Sequence, residues 1–465
     1  MGLKSESWWR RSCGGVDVLR QAVPLIISSG SISLMNFTDR MFLMWSDPDS
    51  MTASMQGMML FWSAVSIPVA VTAFVTTFVA QYCGSGNYER IGKIVWQGIW
   101  FGLAAAPVLF FLEPYLIQFF VLFEHDENLI KLESLYFNYM LWGSAATISG
   151  ESAAAFFRGR GKMHVEMYNN LFCVALNIFL DYCMIFGKCG FPEWGLAGAA
   201  IATMVSQWVR LIIYVTLMFV TEIRERRYNI FGGMVLDFKL IYRLLYFGMP
   251  SSSYTFIDTV TFTFFVMIIG GLGEVERNAT TIAFTMNSLT FIPLTGIGIV
   301  VTSMVGNQLG NNRPDLARRA TNTAFVIGCV YTGFFAILFL CVPNFLLSAF
   351  SIFSDAGEFE VIRETAVILL RFIALYIFFD SCALIAGSTL RGAGDTIFVM
   401  RIVFIFAPLL PVLCFVGIRC FGFGLLWCWS VLTVSVFVYF ICFTLRFLGK
   451  KWESVRVIEK ELQKK

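Results

Sequence analysis

Long apolar runs, each closed by charged or glycine-rich positions, set the rhythm of this chain. The first run lies between about Val23 and Trp45, and an uncharged stretch from Ser50 to Tyr88 holds the second. A third follows Lys93, a fourth ends near Phe157, a fifth covers about 165 to 187, and a sixth about 194 to 220. A charged run at 222–227 and a polar connection to Lys239 come next. Six more runs follow, at about 240–270, 278–306, 318–350, 362–388, 397–417 and 421–445. At 1.5 Å per residue such runs can cross a hydrocarbon core of about 30 Å. The pattern predicts an all-α integral membrane fold of twelve transmembrane helices.

The charges between the runs alternate in the same frame. One set of loops, with both tails, holds about 26 Lys and Arg, among them Arg90, Lys93, Arg158, Arg160, Arg224, Arg313, Arg391, Lys4 and Lys465. The opposite loops hold five, Lys131, Lys188, Arg277, Arg363 and Arg419, beside acids such as Asp47, Glu124, Asp126, Glu274 and Asp355. The bias predicts a multi-pass protein of the cell (inner) membrane with both termini cytoplasmic. The basic N-terminus runs straight into a membrane-length segment without an obvious small-residue cleavage site, which predicts an uncleaved first span.

The chain also repeats itself. Ala80-Gln-Tyr-Cys-Gly-Ser-Gly-Asn-Tyr-Glu-Arg90 ends the second run, and Gly306-Asn-Gln-Leu-Gly-Asn-Asn-Arg-Pro-Asp-Leu316 ends the eighth, about 226 residues later. Phe157-Arg-Gly-Arg-Gly-Lys162 ends the fourth, and Leu390-Arg-Gly-Ala-Gly-Asp395 the tenth, about 233 later. Asp39 precedes Asp258 by about 219. Six spans per half is an even number, so the halves are parallel, pseudo-symmetric six-helix lobes. We expect an N-lobe over 1–230 and a C-lobe over 231–465 with a basic cytoplasmic tail. Transporters built in this way bind solute near the midplane and alternate access by rocking.

Composition narrows the class. The chain has 465 residues, 57% hydrophobic and only 14% charged, against about 25% charged in soluble domains. A net charge of +3 carries no nucleic-acid signal. Twelve Cys stand singly without a CxxC pair, and the two His, His125 and His164, fall in expected loops. Neither a disulfide framework nor a zinc site is expected.

Candidate chemistry comes from acids inside the apolar runs. Asp380 lies near the middle of a stretch whose other charges are Arg371 and Arg391. A carboxylate there costs roughly 2.5–3.5 kcal/mol on insertion scales, so it must face a cavity, a partner or a cation. Asp258 lies midway between Arg243 and Glu274. Its helical face adds Ser251, Tyr254, Thr255 and Thr261, a polar stripe suited to a wet cavity. Tyr376 stands one turn before Asp380. Asp258, Asp380 and Tyr376 make a candidate site for Na⁺ or a proton, because two central carboxylates can share either. Asp39, with Asn177 and Asp181 at i and i+4 on the fifth span, makes a second such set. Tyr254, Thr255, Thr261 and Asn287 are candidates for the wall of a substrate cavity. Glu151, two turns inside Arg158, is either a gate ion pair or an interfacial residue.

Two motifs are decoys. Gly392-Ala-Gly-Asp395 matches the GxGD pattern of intramembrane aspartyl proteases, but no Tyr-Asp partner stands on an earlier span, and Asp395 reads as a helix-start residue. Gly84-Ser-Gly-Asn87 is too short for a phosphate loop and lacks the Lys-Ser/Thr that follows one. No enzyme is expected, and no cofactor beyond a coupling ion.

The motifs in combination resemble the multidrug and toxic compound extrusion (MATE) family. They are Thr38-Asp39 in the first span, Arg-Gly-x-Gly closing the fourth and tenth, Asn177-Ile-Phe-Leu-Asp181, and Gly198-Ala-Ala-Ile-Ala-Thr203. The resemblance covers roughly residues 15 to 447. It implies an antiporter that exports organic cations or amphiphilic drugs against inward Na⁺ or H⁺, working as a monomer in the bilayer. The likeness is to NorM-like/DinF-like bacterial multidrug antiporters, and in the NorM-like branch it points to the span-seven acid, here Asp258, with Asp380 and Tyr376. In the archaeal-type branch it points to Asp39, Asn177 and Asp181. Two departures stand out: Asp258 replaces a Glu, and Arg40 stands where a small polar residue is usual. A lipid-linked saccharide flippase of the same superfamily would be expected to carry basic residues in its cavity, whereas the central charges here are acidic. A passive channel is the remaining alternative.

Overall fold

The computed structural model describes residues 9–122, 127–348 and 356–459. Lys4, Glu124, His125, Asp126, Asp355, Lys460, Lys464 and Lys465 lie outside the described residues. The helices are, in order, α1 (Gly15–Ser46), α2 (Pro48–Ala73), α3 (Val75–Gly84), α4 (Glu89–Leu122), α5 (Glu127–Arg158), α6 (Met163–Ile185) and α7 (Gly195–Glu225). A one-turn 3₁₀ segment, Gly232–Met234, leads to α8 (Phe238–Gly270), α9 (Glu274–Gly310), α10 (Pro314–Cys341) and α11 (Pro343–Ser348). Then come α12 (Ala356–Ala393), α13 (Thr396–Phe406), α14 (Leu409–Phe421) and α15 (Leu425–Leu448). His164 is the second residue of α6 and not part of a loop, because α6 begins directly after the Gly161 turn.

Eleven helical segments among the described residues are long and apolar enough to cross a membrane. They count α2 with α3 as one, and α13 with α14 as another, since Phe74 and Pro408 only interrupt them. The helix left out, α5, is 32 residues long, but Glu127, Lys131, Glu133, Glu151 and Arg158 dilute its hydropathy. With α5 the number is the twelve that the apolar pattern predicts. Local chemistry sets the helix starts. Asp47 caps α2 by accepting from the backbone N–H of Ser50 at 3.0 Å and of Asp49 at 3.3 Å. Its bonds to Ser50 foremost, then those to the backbone, hold the Asp47 carboxyl below the usual carboxylate range.

Contacts divide the chain into two compact units. One comprises Val23–Ser252 with the segment from Val457 onward; the other comprises Ser253–Arg456 with the residues up to Ala22. The division falls inside α8 and not near residue 230, because the start of α8 packs on the first half. Phe247 meets Phe78 edge-on at 6.1 Å, and Gly248 lies close to Val71. The core of the first unit gathers Phe78, Tyr82, Ile94, Phe156, Tyr214 and Leu240. Val457 and Ile458, from the far end of the chain, are buried in the same core. Gln81 accepts from the Val457 N–H at 2.9 Å, Tyr82 donates to Glu459 at 2.8 Å, and Arg243 donates to the Val457 carbonyl. The second unit has its own core of Phe265, Phe339, Leu369, Tyr376, Cys414 and Trp429.

The repeat is visible in the turns. Gly161 and Gly394 both take left-handed φ, +71° and +94°. Lys162 N–H bonds to Phe157 O at 2.9 Å, and Asp395 N–H to Leu390 O at 2.9 Å, so both helices end in the same closure. Two residues earlier in each motif the backbone is crowded. A Cβ on Gly159 would sit 2.8 Å from the Thr76 carbonyl, and one on Gly392 would sit 2.6 Å from the Thr302 carbonyl. Thr76 and Thr302 occupy equivalent places in the two halves.

Candidate functional site

Three helices of the first-half unit bring one polar cluster together. α1 supplies Asp39, α6 supplies Asn177 and Asp181, and α7 supplies Thr203. The i, i+4 spacing sets Asn177 and Asp181 on one face of α6. Asn177 and Asp181 are fully buried and Asp39 nearly so, at 9% exposure. Asp39 and Asp181 stand within hydrogen-bonding reach of each other. With its amide nitrogen inward, Asn177 donates to Asp39 Oδ1 at 3.2 Å and Asp181 Oδ2 at 3.3 Å. With its oxygen inward, the amide nitrogen donates instead to Thr203 Oγ1 at 3.4 Å. Asp181 Oδ1 is buried without a hydrogen-bond partner. Arg40 points to the exposed side of α1, and among the described residues no ion pair joins it to Asp39.

Tyr136, on α5, completes this cluster and was not anticipated. It is buried, and the charges of Asp39 and Asp181 both act on its hydroxyl. An aromatic residue in a chain with 15 Tyr gives no sequence signal of its own. Thr203 did carry one, as the last residue of the Gly198–Thr203 signature.

The second-half unit holds the other predicted acids. Asp258 on α8 is exposed, Asp380 on α12 is half-buried, and Tyr376 one turn before it is buried. Asp380 lies within electrostatic reach of Asp258, and Tyr254 within reach of both. Arg391, three turns beyond Asp380, also acts on Asp258; its guanidinium lies 5.1 Å above the Tyr254 ring and donates to Ser388 Oγ at 3.0 Å. Tyr439 on α15 lies within electrostatic reach of Asp258 and Tyr254. In the sequence Arg391 stands out as a span marker, a loop charge and part of the Arg-Gly-x-Gly motif, with nothing that ties it to Asp258, and Tyr439 carries no signal of its own.

The residues of the expected polar stripe on α8 differ in their surroundings. Thr261 is buried along an apolar groove of about 550 Å³ lined by Phe256, Val260, Phe264, Pro411 and Phe415. Thr255 is exposed, and its carbonyl accepts from Thr259. Among the described residues no hydrogen bond joins Asn287 to the acids; its carbonyl accepts from Thr290 at 2.7 Å.

Several other charges within the helices are paired. Arg158 donates to Glu166 at 2.6 and 2.5 Å and to Glu151 at 2.7 Å, while Arg210 reaches Glu151 at 3.5 Å. Glu151 is therefore a member of an ion-pair network. Asp395 precedes α13 but makes no cap with its side chain, since Arg446 holds its carboxylate at 2.7 and 3.2 Å.

The MatE family model matches residues 24–183 and 250–416, and so takes in both acid clusters except the flanking Thr203 and Tyr439. The chain belongs to the MatE family. This MatE chain is 26% identical to the "Probable multidrug resistance protein NorM" of Thermotoga maritima over 448 residues, 96% of this chain and 94% of the relative. A relative of the same name in Mesorhizobium japonicum is 24% identical over 84% of each chain. Among solved structures, a MOP superfamily transporter from Pyrococcus furiosus superposes with a TM-score of 0.83 at 18% identity, covering 97% of this chain and 98% of that one. A MATE structure in a bent conformation gives 0.84 at 17% identity, with the same coverage. The fold is the twelve-helix, two-lobe MATE fold, and the chain is a multi-pass membrane protein of a transporter family.

Proposed function

We propose that this MatE chain is a secondary multidrug efflux antiporter. It exports organic cations or amphiphilic drugs from the cytoplasm in exchange for Na⁺ or H⁺, by rocking of its two lobes. The observation that carries the reading is the buried Asp39–Asn177–Asp181 cluster. Two carboxylates in contact, with one oxygen lacking any donor, need a proton or cation between them. Asn177 suits both states. With its nitrogen inward it tethers the empty pair, and with its oxygen inward it adds a third hard ligand to a cation. Asp258, Asp380 and Tyr376 form a second acidic site, with Arg391 beside it. The names of the curated relatives support a drug as the exported solute.

The charge bias supports the orientation proposed with it, both termini cytoplasmic and the α6–α7 loop outside, in the cell (inner) membrane. Energetics limit the exchange. At 100 mV one inward charge is worth about 2.3 kcal/mol, and one-for-one exchange with a monovalent cationic drug cancels that contribution. The ion's concentration gradient must then drive export, or two ions must move per drug. The working rule is mutually exclusive occupancy of the carboxylates by ion and drug. Ethidium efflux from proteoliposomes, under an imposed Na⁺ gradient and then a pH gradient, tests this. Efflux should follow one gradient and fall at least tenfold in Asp39→Asn or Asp181→Asn. Gradient-independent efflux, or full coupling in those variants and in Asp258→Asn with Asp380→Asn, would refute the antiporter.

A further inference from the structure

The connection between α6 and α7 brings together two thiols that transport does not use. Their meeting follows from the way α6 ends. After Ile185 the chain passes through Phe186 to Gly187, which takes a left-handed φ of +63°. The Lys188 N–H then bonds back to the Cys183 carbonyl at 2.9 Å. That closure folds the residues beyond the glycine onto the last helical turn. Cys189 continues in the left-handed region, at φ +57°, next to the residue that bonds back to Cys183, so the two thiols come close enough to act on each other. A bond from the Trp194 N–H to the Met184 carbonyl, 2.9 Å, ties the far end of the loop to the same turn. Cys183 is buried and Cys189 is exposed.

We propose that Cys183 and Cys189 form a disulfide on the outer face of the membrane. The bond staples the α6–α7 loop to the end of α6, two residues beyond Asp181. The proposal rests on the orientation given above, because disulfides form and persist outside the reducing cytoplasm. The burial pattern assigns the roles. The exposed Cys189 thiolate attacks one sulfur of a disulfide oxidant, a small-molecule disulfide or an oxidised dithiol protein, and expels the other sulfur as a thiolate. The Cys183 thiolate then attacks the Cys189 sulfur and expels the second oxidant sulfur. Two thiols lose two electrons and two protons, and the oxidant leaves as two thiols. The product fixes the loop over the helix end that carries Asn177 and Asp181.

Lys188 stands between the two cysteines and makes the test direct. Membranes holding the full-length protein are blocked with N-ethylmaleimide and digested with trypsin without reductant. The expected product is peptide 163–188 joined to peptide 189–210, separated by reduction and absent from Cys183→Ala and from Cys189→Ser. Native protein should also be cut after Lys188 several-fold faster once reduced. Separate, fully alkylated peptides from unreduced wild-type protein would overturn the proposal. A membrane-impermeant maleimide, applied to reduced intact cells and to inside-out vesicles, separates the two ways of failing. Labelling of Cys189 from outside with no linked peptide overturns the disulfide alone. Labelling only from the cytoplasmic face overturns the orientation and the disulfide together.

Discussion

Arg158 and Arg391 occupy the same place in the two halves, each just before a Gly-x-Gly turn, yet their surroundings differ. Arg158 is clamped between Glu151 and Glu166, with about 11% of its side chain exposed. Arg391 lies over Tyr254 and acts on Asp258. Removing Arg158 would leave Glu166 buried beside no cation, a loss of about 3–5 kcal/mol. Arg158→Ala should therefore unfold markedly earlier in detergent, and Arg158→Ala with Glu166→Gln should recover part of the loss. Sequence alone indicates which charges lie within the membrane span, but not how they pair. Asn177 and Asp181 were legible as a set because helical spacing is local. That Asp39 meets them, and that Asp380 comes within electrostatic reach of Asp258, depends on how separate helices are placed. Tyr136 was invisible for the same reason, and so was the apolar groove that Thr261 lines.

At the scale of the helix, the Arg-Gly-x-Gly motif works through its two glycines in different ways. The first permits contact with a neighbouring backbone, and the second permits a left-handed turn. Gly392→Ala would place a methyl group 2.6 Å from the Thr302 carbonyl, between α12 and α9. Overpacking of this kind costs about 1–3 kcal/mol. Gly394→Ala strains the left-handed turn, at about 1–2 kcal/mol. Both variants should lower the unfolding temperature, with α9 exchanging its amide hydrogens faster only in Gly392→Ala. The repeat itself was legible, since the motif recurs in order. Its reason was not, because the carbonyl that each first glycine meets lies more than eighty residues earlier in the chain. The twelve spans were legible from hydropathy and charge; α5, the most polar of them, was fixed by the alternation of the loops.

For the whole chain, the ends are the least expected feature. The C-terminal segment reads as a basic tail, yet Val457 and Ile458 belong to the core of the first-half unit. Two aliphatic residues among charges carry too little periodicity to announce burial. A chain ending at Arg456 forfeits two buried side chains, at about 1.5–3 kcal/mol each, and the Gln81 and Tyr82 bonds with them. It should show a lower unfolding temperature and faster hydrogen exchange in α3 and the start of α8. The same feature sets an order of events at the ribosome. Some two hundred residues separate Ser252 from Val457, and at about 5–20 residues per second they take roughly 10–40 s to make. Throughout that interval the first half sits in the bilayer with the slot for Val457 and Ile458 unfilled. A nascent chain broken off anywhere in the second half leaves the first half unfinished too, so incomplete products carry a recognisable defect in the half that was made correctly.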